Sequence, residues 1–164
     1  MKFLTATIIL WFTLVGQSIA QLNKSKIELE KGITLIGTIE TFIISKHKID
    51  TCETGQDWKA ICLIDGKIWF GSDLGLILPK NQLTKLTIKI NETEISLDVS
   101  GIFNPNFGNV LGKDQFKLKK NEVGYILNAF FSDGAGTYTT QWNIVKGKSL
   151  RTKISTDESD FIWQ

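Results

Sequence analysis

From Leu86 to Ser100 the chain alternates apolar and polar residues with a period of two. Leu86, Ile88 and Ile90 interleave with Thr87 and Lys89. After Asn91-Glu92-Thr93-Glu94, Ile95, Leu97 and Val99 interleave with Ser96, Asp98 and Ser100. Successive side chains of a strand point to opposite faces, so this pattern predicts two strands with one buried face, joined by a polar turn. The period recurs along the chain. Ile61-Cys62-Leu63-Ile64 and Lys67-Ile68-Trp69-Phe70 flank Asp65-Gly66, a pair that supplies the positive φ angles of a type I′ hairpin turn. Val123 to Phe131 is an apolar run, and Ser132-Asp133-Gly134-Ala135-Gly136 reads as a turn. Thr137 to Val145 then alternates, with Tyr138, Thr140, Trp142 and Ile144 on one face. Lys146-Gly147-Lys148 turns the chain into a last strand from Ser149 to Ser155, completing a three-stranded meander.

Gly32 to Ser45, rich in Ile and Thr, reads as one long bent strand or two short ones, with Gly37 as the bulge or bend. Leu78 to Leu83 predicts a single helical turn, and Asn104 to Asn109 a loop. Beyond the N-terminal segment no stretch carries apolar residues at i, i+3, i+4 and i+7 over three turns. About seven to nine short strands with regularly spaced turns define an all-β chain, a single antiparallel β-sandwich or small barrel. Without repeats or a Pro/Ser-rich linker, residues 21–164 read as one domain.

Residues 1–20 read as a cleaved signal peptide. Lys2 is a short basic region, Phe3 to Val15 an apolar core, and Ser18-Ile19-Ala20 places small residues at −3 and −1 of a cleavage site. A spanning helix needs about 20 predominantly apolar residues, and this core is shorter. The expected location is therefore secreted or periplasmic, with no membrane span after cleavage. Cys52 and Cys62 are the only cysteines. In an exported chain an isolated pair predicts a disulfide. Closing so short a loop stabilises a fold by about 2–3 kcal/mol in the chain-entropy treatment. The spacing is not Cys-x-x-Cys, and a zinc site needs four ligands where the chain offers one histidine, so no metal or cofactor is expected.

Charge is nearly balanced, with 19 basic residues, Lys2 among them, against 17 acidic ones. That disfavours nucleic acid as a partner, because polyanion binders carry a basic excess on one face. His47, flanked by Lys46 and Lys48, reads as a wet surface residue, and no Gly-x-Ser-x-Gly is present to raise a catalytic serine. Asp57, Asp65, Asp73, Asp98 and Asp133 could in principle supply the two carboxylates of a hydrolase, but nothing in the string brings two together. Asp65 and Asp133 are explained by their turns, and Asp98 by the polar face of its strand.

Two features remain as binding candidates. Asp133, Gly134, Gly136 and Tyr138 lie in a glycine-rich turn where backbone can approach a ligand closely. Trp58 lies inside the expected disulfide loop in a polar setting, where a large apolar ring can anchor a protein or stack on a sugar. Trp142 is expected in the core, as is one of Trp69 and Phe70. The expected function is that of an exported, non-catalytic binding protein that engages or inhibits another protein through exposed loops. A carbohydrate-binding module using exposed tryptophan is the alternative, and a carboxylate-dependent hydrolase ranks third.

Overall fold

The computed structural model describes residues 22–55, 58–70, 75–106, 108–132 and 136–161. The expected signal peptide, residues 1–20, lies outside them. The chain begins with β1 (Leu22–Glu30) and β2 (Ile33–Thr41), continues through β3 (Ile49–Glu53), β4 (Lys59–Ile64) and β5 (Lys67–Ile68), and returns as β6 (Asn81–Ile90) and β7 (Thr93–Leu97). A crossing loop leads to β8 (Phe116–Lys120), β9 (Tyr125–Phe131), β10 (Tyr138–Val145) and β11 (Lys148–Ser155). Among the described residues, helical elements include short 3-10 turns at Ile44–Lys46, Lys113–Gln115 and Glu158–Phe161. No helix among the described residues is long and apolar enough to cross a membrane.

The strands form three antiparallel sheets, ordered β1-β2-β6-β7, β11-β10-β9-β8 and β3-β4-β5. The first two are four-stranded meanders packed face to face as a sandwich, as the period-two reading requires. Burial alternates along β2 and, from Thr140 onward, along β10, and the inward residues of both sheets share one core that includes Leu35, Leu86, Leu127, Phe131, Tyr138 and Trp142. The outer strands also meet edge to edge. Ser149 Oγ donates to the Ser96 carbonyl at 2.5 Å, joining β11 to β7, and Leu111 N–H donates to Ser25 Oγ at 2.9 Å beside β1. The first of these bonds satisfies a carbonyl of the β7 edge, and the second ties the crossing loop to the side-chain face of β1.

Two of the expected turns form with the chemistry their residues dictate, while the turn expected at 132–136 lies largely outside the described residues. Asp65 (φ 53) and Gly66 (φ 71) join β4 to β5, and Lys146 (φ 49) and Gly147 (φ 75) join β10 to β11. Gly37 is different from its expected role as a bulge. It pairs regularly with Ser25 and Leu86, and the register shift opposite β2 falls on β6 at Thr84. Gly37 lacks a side chain because Leu111 Cδ1 occupies the space a Cβ would take. Leu78 to Leu83 forms no helical turn. Its second half is the start of β6, held between β2 and the 102–104 backbone, where Leu83 N–H donates to the Ile102 carbonyl at 3.0 Å.

The third sheet is an insertion. β2 and β6 are neighbours in the first sheet, so residues 42–80 leave that sheet and return to it. Phe42 N–H donates to the Lys80 carbonyl at 3.0 Å and pinches the base closed. Asn104 Oδ1 accepts the Lys80 and Asn81 N–H groups there at 2.8 and 3.3 Å. The leaf β3-β4-β5 has its own small core of Phe42, Ile61, Ile64, Trp69 and Phe103.

Candidate functional site

The leaf carries the strongest of the expected contact residues. Cys52 on β3 and Cys62 on β4 form the disulfide, with Cα atoms 5.9 Å apart, inside the range such a bond spans. In the β3–β4 register Thr51 opposes Ile61 and Asp50 opposes Leu63, which leaves Cys62 as the extra residue of a β-bulge. The bond thus ties the two strands where their ladder is interrupted. Beyond it the loop is closed by Thr54, whose N–H and Oγ1 both donate to the Trp58 carbonyl at 3.1 and 2.9 Å.

Trp58 is 43% exposed. Its ring lies against Gly75, where a Cβ would come within 3.0 Å of Trp58 Cζ3, and Gly75 has φ +38, a conformation that glycine adopts readily. The Gly75 carbonyl accepts Ile61 N–H at 3.0 Å, so this segment lies along β4. Leu76 and Ile77 follow it, 59% and 47% exposed, and the Ile77 carbonyl accepts Trp69 Nε1–H at 3.2 Å. Trp69 is buried beneath, and Phe70 packs on the sandwich core, stacked on Tyr138 at 5.6 Å. Leu76 and Ile77 escaped the sequence reading because the short apolar run Leu76-Ile77-Leu78 before Pro79 carries no periodicity.

His47 is not the wet residue its lysine neighbours suggest. Its side chain is 11% exposed and stacks on Phe42 with ring centroids 4.4 Å apart. Nδ1 is 2.6 Å from Asp65 Oδ2. An ionised carboxylate only accepts, so Nδ1 carries the shared proton. Asp65 Oδ1 accepts Lys48 N–H at 2.8 Å. The His47 bond, then the Lys48 bond, hold the Asp65 carboxyl below its ordinary value.

Asp65 and Asp98, which the sequence could not bring together, both line a cleft of about 510 Å³ between leaf and sandwich, with Gln82, Thr84 and Phe103. Burial acts to raise the Asp98 carboxyl, but the Ser100 hydrogen bonds and the Arg151 and Lys67 charges outweigh it and hold the group below its ordinary value. A hydrolase with two carboxyls needs one kept protonated as general acid, and these two are both driven toward the ionised form. No group of three or more histidine, cysteine or acidic side chains placed to hold a metal ion occurs among the described residues.

The other expected contact residues fall elsewhere. Tyr138 is fully buried, and its hydroxyl donates to the Phe103 carbonyl at 2.6 Å. Burial raises its phenol well above the ordinary range. It therefore supports the leaf from beneath and is not a surface contact, as its place on the Trp142 face of β10 already implies. Gly136 is buried as well, and Asp133 and Gly134 lie outside the described residues, as do Asp57 and Asp73.

These features define an all-β sandwich with a disulfide-braced, three-stranded leaf inserted between two neighbouring strands. No family model matches this chain, and no curated protein or solved structure matches it.

Proposed function

We propose that this protein is an exported, non-catalytic binding protein, acting outside the cytoplasm in a secreted or periplasmic setting, and that the leaf is its contact face for another protein. The observation that carries the reading is the half-exposed Trp58 ring, held on a disulfide-closed loop beside exposed Leu76 and Ile77. Large apolar side chains on a rigid support lose little conformational entropy on binding, which is the chemistry of an interface anchor. The disulfide itself supports an oxidising compartment, in keeping with the signal-like N-terminus.

A carbohydrate reading has one specific observation in its favour. A depression of about 280 Å³ beside the Trp58 ring is lined by Glu53, Gly55 and Lys59, which would place a carboxylate and an ammonium around a stacked sugar. The two exposed aliphatic neighbours favour the protein partner.

The test is affinity capture from the host's envelope and secreted fractions with three baits: wild type, Trp58→Ala and Leu76→Asp. A protein retained by wild type and lost with both variants supports the reading. Capture that is indifferent to both variants overturns it. Trp58 quenching by glycans, in the absence of any such protein, would transfer the role to sugar binding.

A further inference from the structure

Arg151 is the single arginine of the chain, whose other eighteen basic residues are lysines. It lies on β11, and its side chain is only 13% exposed. Nη1 donates to the Ser100 carbonyl at 2.6 Å, and Nη2 donates to Ser100 Oγ at 3.1 Å and pairs with Asp98 Oδ2 at 3.2 Å. These contacts fix the plane of the guanidinium while using three of the five N–H donors such a group carries. Beside it opens a pocket of about 250 Å³ between the β4–β5 turn, the 100–101 loop and β11. Ile68, Phe70 and Ile154 give it apolar walls. Among the described residues its charged lining is Lys67 and Arg151.

Lys67 reaches this place by a defined route. Gly101 has φ +77, and a Cβ there would come within 3.1 Å of Lys67 Cβ, so the lysine stem runs across the glycine. Among the described residues Lys67 makes no ion pair, while Arg151 is paired on one side only. The pocket is thus apolar within and carries two cations at its rim, with the Asp98 carboxylate behind them paired to Arg151 and within the field of Lys67, so one positive charge is left in excess. At about 30 Å³ per water, its volume matches roughly eight waters, or a ligand of about eight to ten non-hydrogen atoms.

We propose that this pocket binds a small amphipathic monocarboxylate, with the acid group between Lys67 and Arg151 and a short aliphatic or aromatic body against Phe70 and Ile154. Arginine's planar fork matches a carboxylate in geometry, and a pre-fixed guanidinium loses little freedom on engaging one. Apolar walls with a few convergent polar groups are the usual make-up of a small-ligand site. The residues are separate from Trp58, Leu76 and Ile77, so this inference stands or falls independently of the protein-binding face.

The test titrates octanoate and, in parallel, 1-octanol into the folded mature chain, read by amide NMR shifts and by calorimetry. Saturable shifts at Gly66, Ser100 and Gly101 are expected with octanoate. The alcohol, which lacks the charged head, should bind roughly tenfold more weakly or worse. Lys67 is exposed, so Lys67→Gln will fold, and it should weaken octanoate by about fivefold while leaving the thermal midpoint in place. Equal binding of acid and alcohol, an unchanged affinity in Lys67→Gln, or shifts that never saturate would each overturn the assignment.

Discussion

The imidazole of His47 and the carboxylate of Asp65 meet at 2.6 Å, joining the 3-10 turn that opens the leaf to the hairpin that closes β4 onto β5. Asp65 accepts Lys48 N–H as well, and Asp65 N–H donates back to the Lys48 carbonyl at 2.9 Å. One turn residue thus clamps the start of β3 at the end of the leaf where Ile49 pairs with Ile64. The carboxyl lies below its ordinary value of 3.8, so the folded state binds its proton less tightly than the unfolded state does. Its stabilising contribution is complete above that value and is lost as pH falls below it through the lowered one. Asp65→Asn should lower stability at pH 7 by about 1 kcal/mol, a modest figure because the side chain is half exposed. The variant's urea midpoint should fall less than that of wild type between pH 5 and pH 2.5, and equal losses would assign the acid sensitivity to other groups.

Tyr138 joins the leaf to the sandwich from below. Its buried hydroxyl satisfies the carbonyl of Phe103, a residue of the leaf core. Tyr138→Phe keeps the ring and its stacking on Phe70 but leaves that carbonyl without this donor. The expected cost is about 1–2 kcal/mol. The loss should appear first as faster hydrogen exchange in β4 and β5, with β10 amides protected as before. Uniform acceleration over all strands would place the bond's role in the sandwich instead.

Most of the strand content was legible because most strands of the two large sheets bury one face, whereas β1 and β3 were not singled out. A sequence such as Ile95 to Val99 then records inward and outward positions directly. Asp65-Gly66 and Lys146-Gly147 were legible because positive φ restricts which residues can stand there. What was hidden depends on pairs distant in sequence. The burial of His47 needs Phe42 above and Asp65 beside it, and a two-lysine flank gives no hint of either. Arg151 meets Ser100 across two sheets. The separate three-stranded leaf was not foreseen beyond its Asp65-Gly66 hairpin, because a strand's alternation says that it has a buried face but not which core it joins.

Gly37 gives a sharper example. A glycine within an Ile- and Thr-rich strand suggested a bend, yet its pairing is regular and the glycine admits Leu111. Gly37→Ala should destabilise the fold by about 1–3 kcal/mol through overpacking. The same substitution in a Leu111→Ala background should cost close to nothing, because the cavity left there receives the methyl group. A double-mutant cycle by chemical denaturation measures that coupling. Equal costs in both backgrounds would return Gly37 to the role of a backbone bend.

The disulfide has a local consequence that thermal melting of the whole chain could miss. Cys52 and Cys62 are ten positions apart, and both lie in the leaf. Replacing both by serine removes a constraint worth about 2–3 kcal/mol in the chain-entropy treatment. The sandwich core is built from other strands, so the loss should fall on β3, β4 and the Trp58 loop. Native-state exchange should therefore show lowered protection at Ile61 and Leu63 and unchanged protection in β9 and β10. Trp58, no longer held over Gly75, should become more accessible to acrylamide quenching. If the double serine variant instead melts as one unit at a lower temperature, leaf and sandwich unfold together, and the Phe42–Lys80 pinch couples them more tightly than a separable contact face would require.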